Sequence, residues 1–203
     1  MRTLLYVRTS LYGAQGASSQ LAERFVAEWR VRNPGGHVIT RDLAADPAPH
    51  LTAERFQAFN TRPEDRTPEQ QAVVEYSDAL IDELRAADTI VLAVPMYNFG
   101  VPSTLRTYFD HVARAGVTFR YTSTGPEGLL AGRRAYVFVT RGGVYGGEHD
   151  TQAPYLRQFL RFIGIESEFV FAQGLAMGDE SRQKSLAHAH EQISGLIAVE
   201  LAA

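Results

Sequence analysis

The sequence contains no cysteine among its 203 residues. This absence excludes disulfide scaffolds, thiolate nucleophiles, iron–sulfur clusters and cysteine-type zinc sites. No apolar run approaches the ~20 residues that a membrane-spanning helix needs. The chain also lacks a large excess of either charge, since 20 basic and 23 acidic side chains give a formal net charge of -3. We therefore predict a cytoplasmic protein without a membrane or nucleic-acid partner, in which any redox chemistry comes from a bound cofactor.

The length and composition predict one globular domain that spans residues 1–203. Domains usually contain ~100–200 residues. With 45% hydrophobic and 21% charged residues, the chain has the composition of an ordinary packed core. The apolar run at the N-terminus is too short for a signal peptide and instead predicts a first buried strand.

Short β-branched or aromatic runs alternate with longer stretches of helical periodicity. The predicted strands are Thr3–Val7, His37–Thr40, Thr89–Val94, Ala135–Thr140 and Glu168–Phe171. The predicted helices are Ser18–Arg32, Thr67–Ala86, Ser103–Arg114, Asp150–Gly164 and Asp179–Leu201, with a short piece at Ala53–Phe59. This alternation predicts an α/β fold built on a parallel sheet. Two segments, 44–68 and 118–132, depart from the pattern as long excursions.

In an open parallel sheet, ligands bind beyond the carboxyl ends of the strands. The loop after the first predicted strand is long, small and polar, with Ser10, Gly16, Ala17 and Ser18 just before or inside the start of a helix. Free N–H groups at a helix start, together with the helix dipole, favour an anion such as phosphate. The alternative is that Ser18 or Ser19 only caps the helix.

The loops after the third and fourth predicted strands are typical of a wall for a planar ring. The first holds Met96, Tyr97, Asn98 and Phe99 between prolines, although Met96 and Phe99 could instead plug the end of the sheet. The second, from Thr140 to Gly147, has four glycines in six residues and a tyrosine, Tyr145, that could stack on a ligand. A phosphate site beside a planar polar ring predicts flavin mononucleotide (FMN).

Four groups of residues, two of which lie in the loops after the third and fourth predicted strands, resemble those of a known family. They are Pro95–Phe99 with Pro102, Leu105 and Tyr108–Asp110; Ala113–Thr122 continuing to Gly125–Leu129; Arg141–Gly143; and Phe159–Leu160 with Phe162–Gly164. Over almost its full length the chain resembles the flavodoxin-like, FMN-dependent NADH azoreductases and quinone reductases. The resemblance implies a three-layer, doubly wound sheet of five parallel strands in the order 2-1-3-4-5.

The resemblance also implies which residues form the site. The phosphate would be held by Ser10, Gly16, Ala17 and Ser18; the ring would rest on Met96, Tyr97, Asn98 and Phe99; and its pyrimidine edge would meet Thr140, Arg141, Gly142 and Gly143. Phe119, Tyr121 and Tyr145 would line the substrate pocket, and Phe119 and Tyr121 could reach it from the partner subunit of a homodimer. Packing in the core or in a dimer interface is the alternative role of Phe119.

The activity implied is a ping-pong hydride transfer through FMN. NADH, with NADPH as the alternative donor, would reduce the flavin, and a quinone or an aromatic azo compound would then reoxidise it. The chemistry lies on FMN, so we predict no catalytic side chain and no metal. Two other functions were weighed: a flavodoxin-type electron carrier without its own NADH oxidation, and a phosphodiesterase acting on acyl carrier protein. The second lacks any metal site or activated nucleophile in this sequence.

Overall fold

The computed structural model describes residues 2–200. Its strands are β1 (Thr3–Arg8), β2 (His37–Asp42), β3 (Thr89–Pro95), β4 (Phe119–Thr122), β5 (Gly125–Gly128), β6 (Arg134–Thr140) and β7 (Glu166–Ala172). Its α-helices are α1 (Ala17–Arg32), α2 (Ala53–Asn60), α3 (Pro68–Ala86), α4 (Ser103–Val112), α5 (Gln152–Phe162) and α6 (Asp179–Glu200). The predicted end of the last helix, Leu201, lies outside the described residues. Within the described part of the chain, no helix is long and apolar enough to cross a membrane.

Five strands form one parallel sheet in the order β2-β1-β3-β6-β7. The predicted order 2-1-3-4-5 is confirmed, because β6 and β7 are the fourth and fifth strands of that sheet. Every residue of the central strand β3 is buried, as its uninterrupted apolar run predicts for a strand covered on both faces.

Side chains alternate along β1 between two apolar clusters. Leu5 and Val7 belong to a cluster that includes residues of α3, α4 and α5. Leu4 and Tyr6 belong to a second cluster, with residues of α1 and α6. Because successive side chains of a strand point to opposite faces, helices on both sides of the sheet bury its apolar surface.

The excursion at 118–132 contains a feature that the sequence analysis missed, the antiparallel hairpin of β4 and β5. Its strands are short, largely exposed and rich in turn residues, so they lack the apolar alternation that indicates a strand. Gly128 fixes this hairpin against the turn after α5, where a Cβ on Gly128 would lie 2.0 Å from the Gly164 backbone nitrogen. Nearby, the Leu130 N–H donates to the Ile163 carbonyl at 3.0 Å.

The other excursion, 44–68, contains α2 and is attached to the core through His111 at the end of α4. His111 is fully buried, and its Nε2 lies 2.9 Å from the Pro49 carbonyl oxygen. Its ring meets those of Phe59 and Tyr76 edge-on at centroid distances of 6.0 and 5.3 Å. Nδ1 has no hydrogen-bond partner among the described residues, which favours a neutral ring.

This environment makes His111 a source of acid sensitivity. Burial lowers the pKa of His111 below its ordinary value of 6.5 and outweighs the bond to Pro49; among the nearby charges, Arg55 also lowers it and Asp110 raises it. A group with a lowered pKa in the folded state contributes stability that is present above pH ~6.5 and is lost as the pH falls. H111Q keeps an amide donor for the Pro49 carbonyl but does not titrate.

We expect the free energy of unfolding to fall more steeply between pH 7.5 and 5 in the wild type than in H111Q. Urea unfolding at several pH values measures the free energy of unfolding of both proteins as a function of pH. Subtracting one profile from the other removes the contributions of the titrating groups that the two proteins share. Parallel profiles would show that His111 is not the sensitive group.

Candidate cofactor site

A pocket of about 330 Å³ opens at the carboxyl ends of β1, β3 and β6, where the topology predicts a ligand. It is lined by Ser10, Tyr12, Gln15, Gly16, Ala17, Pro95, Met96, Tyr97, Thr140, Arg141, Gly142, Leu175 and Arg182. The three loops singled out in the sequence therefore meet at one place.

The loop after β1 presents the start of α1 to this pocket. Gly16 is the N-cap residue, and no side chain caps the helix, so neither Ser18 nor Ser19 acts as the N-cap that was the alternative. Gly16 packs closely against Ser10, whose Oγ would lie 2.1 Å from a Cβ at position 16. The Oγ atoms of the buried Ser18 and Ser19 have no partner among the described residues. Unpaired N–H groups and hydroxyls at this end of α1 fit an anion.

The loop after β3 makes a tight two-residue turn. Tyr97 and Gly100 exchange backbone hydrogen bonds of 3.1 and 3.0 Å, and the residues between them, Asn98 and Phe99, have φ values of 48° and 64°. Such left-handed backbone is uncommon for residues other than glycine and persists only where neighbouring structure holds it.

Contacts from a later segment hold this turn. The Thr151 hydroxyl donates to the Phe99 carbonyl, and the Tyr145 ring meets the Phe99 ring edge-on at 5.9 Å. Asn98 and Phe99 follow directly after the pocket residue Tyr97 but do not themselves line the pocket, and Phe99 is 63% exposed.

The end of β6 contributes Thr140 to the pocket, and the loop after it contributes Arg141 and Gly142. The next residue, Gly143, packs under Tyr145. The guanidinium of Arg141 is turned into the protein and is fully buried. It donates to Asp150 Oδ1 at 2.7 Å, Gln152 Oε1 at 3.2 Å, Gln173 Oε1 at 3.2 Å and the Tyr145 carbonyl at 3.3 Å. The side chain of Arg141 therefore supports the pocket from behind.

Gln152 extends this network to the loop after β3. Its side chain is buried and its Nε2 donates to the Pro95 carbonyl at 3.0 Å. Arg141, Gln152 and Pro95 thus connect the loops after β6 and β3 through buried hydrogen bonds. The sequence analysis did not single out Gln152, which has no motif of its own.

Five pocket residues were also missed. Tyr12, Gln15 and Pro95 lie inside the predicted loops, so their position alone was the signal. Leu175 and Arg182 belong to the segment after β7, which the analysis of the loops did not consider. That segment contains two glycines, Gly174 and Gly178, both of which have positive φ. Their presence in the sequence could have indicated an ordered turn there.

Phe119 and Tyr121 do not line this pocket within one chain. Phe119 is buried against Phe162, with ring centroids 4.3 Å apart, and Tyr121 beside it is 74% exposed. Packing within the chain therefore accounts for Phe119, and a pocket role for either residue stays a prediction that needs a second subunit.

Comparison with known proteins places the chain in a family. The family model for the flavodoxin-like fold matches residues 2–197. An FMN-dependent NADH:quinone oxidoreductase of Cellvibrio japonicus is 54% identical over 98% of this chain and 100% of its own length. A protein of the same name from Alcanivorax borkumensis is 50% identical over 94% of this chain and 97% of its own.

Solved structures agree. An azoreductase from Bacillus anthracis has a TM-score of 0.89 and 26% identity, covering 97% of this chain and 99% of that one. An FMN-dependent NADH-azoreductase from the same species, solved with FMN, has a TM-score of 0.85 and 27% identity, covering 97% of this chain and 100% of that one. By its family model and its relatives, the chain belongs to the oxidoreductases of the flavodoxin-like fold that include the FMN-dependent NADH:quinone oxidoreductases.

Proposed function

We propose that this chain, as a single three-layer domain, is an FMN-dependent NADH:quinone oxidoreductase that also cleaves aromatic azo compounds to amines. The observation that carries the proposal is the convergence of three polar or glycine-rich loops on one pocket at the carboxyl ends of β1, β3 and β6. The names of the relatives and of the similar azoreductase structures support it.

The donor groups at the pocket fit FMN. The uncapped start of α1 suits a phosphate. Ser18, which follows the pocket residue Ala17 and does not itself line the pocket, has an Oγ without a partner among the described residues. A Cβ at Gly16 would collide with Ser10, so only glycine lets the two segments pack closely here. We assign the phosphate to Ser10, Gly16, Ala17 and Ser18, and the ring to Met96, Tyr97, Asn98, Phe99, Thr140, Arg141, Gly142 and Gly143.

FMN held by these residues would supply the redox chemistry, a two-electron hydride transfer from NADH to the acceptor in two successive half-reactions. The residues of the chain bind, orient and shield. Met96 and Tyr97 offer an apolar wall to a planar ring, and the Asn98–Phe99 turn fixes the backbone beside it. Arg141 and Gln152 support the loops after β6 and β3 from behind the pocket. Tyr145, which does not line the pocket in this chain, is proposed to contact the substrate.

The test is an absorbance spectrum of the purified protein followed by addition of NADH. We expect the bands of an oxidised flavin, their bleaching by NADH, and their return when menadione is added without a second protein. Flavin bands that NADH does not bleach would instead favour the flavodoxin-type electron carrier. A protein that neither carries nor binds FMN would contradict the proposal.

Quinones are the proposed physiological acceptors and azo dyes the incidental ones. One two-electron reduction completes the conversion of a quinone, whereas an azo bond needs two to reach the amines. We expect kcat/KM to be higher for benzoquinones than for azo dyes in steady-state assays. A clear preference for azo dyes would reverse this ranking.

The homodimer and the cytoplasmic location stay predictions. A second subunit would explain how Tyr121, which is exposed on the β4–β5 hairpin, could reach a pocket that it does not line in its own chain. Light scattering on the purified protein measures the assembly, and a monomer that is active would leave Phe119 and Tyr121 with packing roles only.

A further inference from the structure

We propose that Arg182, on the first turn of α6, is a phosphate-recognising residue of the cofactor pocket and supplies its positive charge. The inference rests on the proposed function, since the phosphate in question is that of FMN. Arg182 lines the same pocket as Gln15, Gly16 and Ala17 at the start of α1.

The rest of the pocket offers no free cation to a phosphate. The loop after β1 has no lysine or arginine between Thr9 and Glu23. Arg141 lines the pocket, but its guanidinium is buried in the network with Asp150. Among the described residues, Arg182 forms no ion pair with a carboxylate. A phosphate monoester carries ≈ -1.5 to -2 charges near pH 7, so the pocket without Arg182 would hold it by dipoles alone.

The position of Arg182 is fixed relative to the pocket. The segment after β7 is bonded to the loop after β6: the N–H groups of Gly174, Leu175 and Ala176 donate to the carbonyls of Gly143, Arg141 and Gly142 at 2.9, 3.1 and 2.9 Å. The Ser181 hydroxyl then anchors the start of α6 by donating to the Gly174 carbonyl at 3.0 Å. Arg182 follows directly, so its backbone is carried by the same elements that form the pocket.

The helix itself gives no reason for an arginine at this place. A helix start favours acidic side chains and disfavours cations, because the N–H groups there are partially positive. Asp179 and Glu180 satisfy that preference, whereas Arg182 opposes it. Arg182 is therefore unfavourable for its own helix but lies at the rim of a pocket that suits an anion. Attraction to that anion explains why a positive charge is found at this position.

The test compares FMN with riboflavin, which lacks the phosphate. Titrations of the flavin-free full chain, followed by quenching of flavin fluorescence, give the Kd of each. We expect R182Q to raise the Kd for FMN about fivefold to tenfold, a modest factor because the guanidinium is exposed, and to leave the Kd for riboflavin unchanged. R182K should recover much of the affinity for FMN, and added salt should narrow the gap between wild type and R182Q.

Lys184 provides the matched control, since it lies two residues further along α6, is exposed and does not line the pocket. K184Q removes the same charge and should leave both Kd values unchanged. The thermal midpoint of the flavin-free R182Q protein should stay the same or rise slightly, because an unfavourable helix-dipole interaction is removed.

Three outcomes would overturn the inference. R182Q could weaken FMN and riboflavin equally, which would indicate a structural role, or R182Q and K184Q could weaken FMN equally, which would indicate general charge. R182Q could also leave FMN affinity unchanged and raise the KM for NADH, in which case the recognised phosphate belongs to the nicotinamide nucleotide. If the wild type binds FMN in these titrations, none of these outcomes contradicts the proposed function, which the bleaching of the flavin by NADH tests separately.

Discussion

Replacing Arg141 with methionine is expected to lower the free energy of unfolding by about 3 kcal/mol, at the lower end of the range for breaking a buried ion pair. The guanidinium is fully buried, while the Asp150 side chain is 15% exposed, which moderates the loss. R141M removes the donor that Asp150, Gln152 and Gln173 share. Asp150 and Gln173 keep bonds from backbone N–H groups, but the Asp150 charge loses its ion-pair partner, and a buried charge without a partner is costly.

The same substitution separates two roles for Arg141. If the side chain supports the pocket from behind, R141M should disorder the loop from Gly142 to Asp150 and weaken both FMN and riboflavin. Urea unfolding measures the stability, and hydrogen exchange of the loop amides reports its order. The double variant R141M/D150N removes the uncompensated charge, keeps an oxygen that can accept from the Gln152 and Ala153 N–H groups, and should regain part of the stability. An R141M protein as stable as the wild type, but with weaker flavin binding, would instead assign the guanidinium to the cofactor.

The second large effect is expected at Gly16. Its backbone, with φ of -64° and ψ of 139°, suits any residue, so G16A adds no backbone strain and its main effect is steric, with a smaller loss because alanine is a poorer N-cap than glycine. The new Cβ would lie 2.1 Å from Ser10 Oγ and 2.6 Å from Ser10 Cβ, and the loop must move away from the start of α1. We expect a destabilisation of about 1–3 kcal/mol, as in overpacked sites, and a Kd for FMN raised at least tenfold.

Two controls define the G16A result. G35A adds the same methyl group where a Cβ meets nothing within 4 Å and should leave flavin binding unchanged. S10G/G16A removes both atoms with which the new Cβ collides, so it should regain stability relative to G16A. FMN affinity in the double variant then reports how much the Ser10 hydroxyl contributes. A G16A protein that binds FMN like the wild type would contradict the close packing of this loop.

The sheet was predictable because short β-branched or aromatic runs alternate with stretches of helical periodicity. The run at 90–94 is apolar at every position, which is typical of a covered central strand, and four further runs with helices between them complete the sheet, although the edge strand β2 includes His37, Thr40 and Arg41. The hairpin of β4 and β5 escaped prediction for the opposite reason. It consists of four-residue strands that are mostly exposed, and it is held by the contact of Gly128 with Gly164, which depends on a helix that follows later in the chain.

The location of the pocket also followed from topology, but the direction of its side chains did not. Arg141 stands before two glycines and looks free in the sequence. Its guanidinium turns inward because Asp150, Gln152 and Gln173 provide buried acceptors. No spacing rule connects Arg141 with acceptors at the start of α5 and after the end of β7. Arg182 was missed because the start of α6 reaches the pocket only when β7 lies beside β6.

The turn at Asn98 and Phe99 has a consequence for ligand affinity. A loop that becomes ordered only when a ligand arrives subtracts its lost conformational freedom from the binding free energy. Here the left-handed backbone is already in place and is held by Thr151 and Tyr145, so that ordering occurs while the chain folds. A planar ligand then binds to a rigid surface. The residence time of the ligand depends on its contacts with that surface, because the loop does not have to become ordered around it.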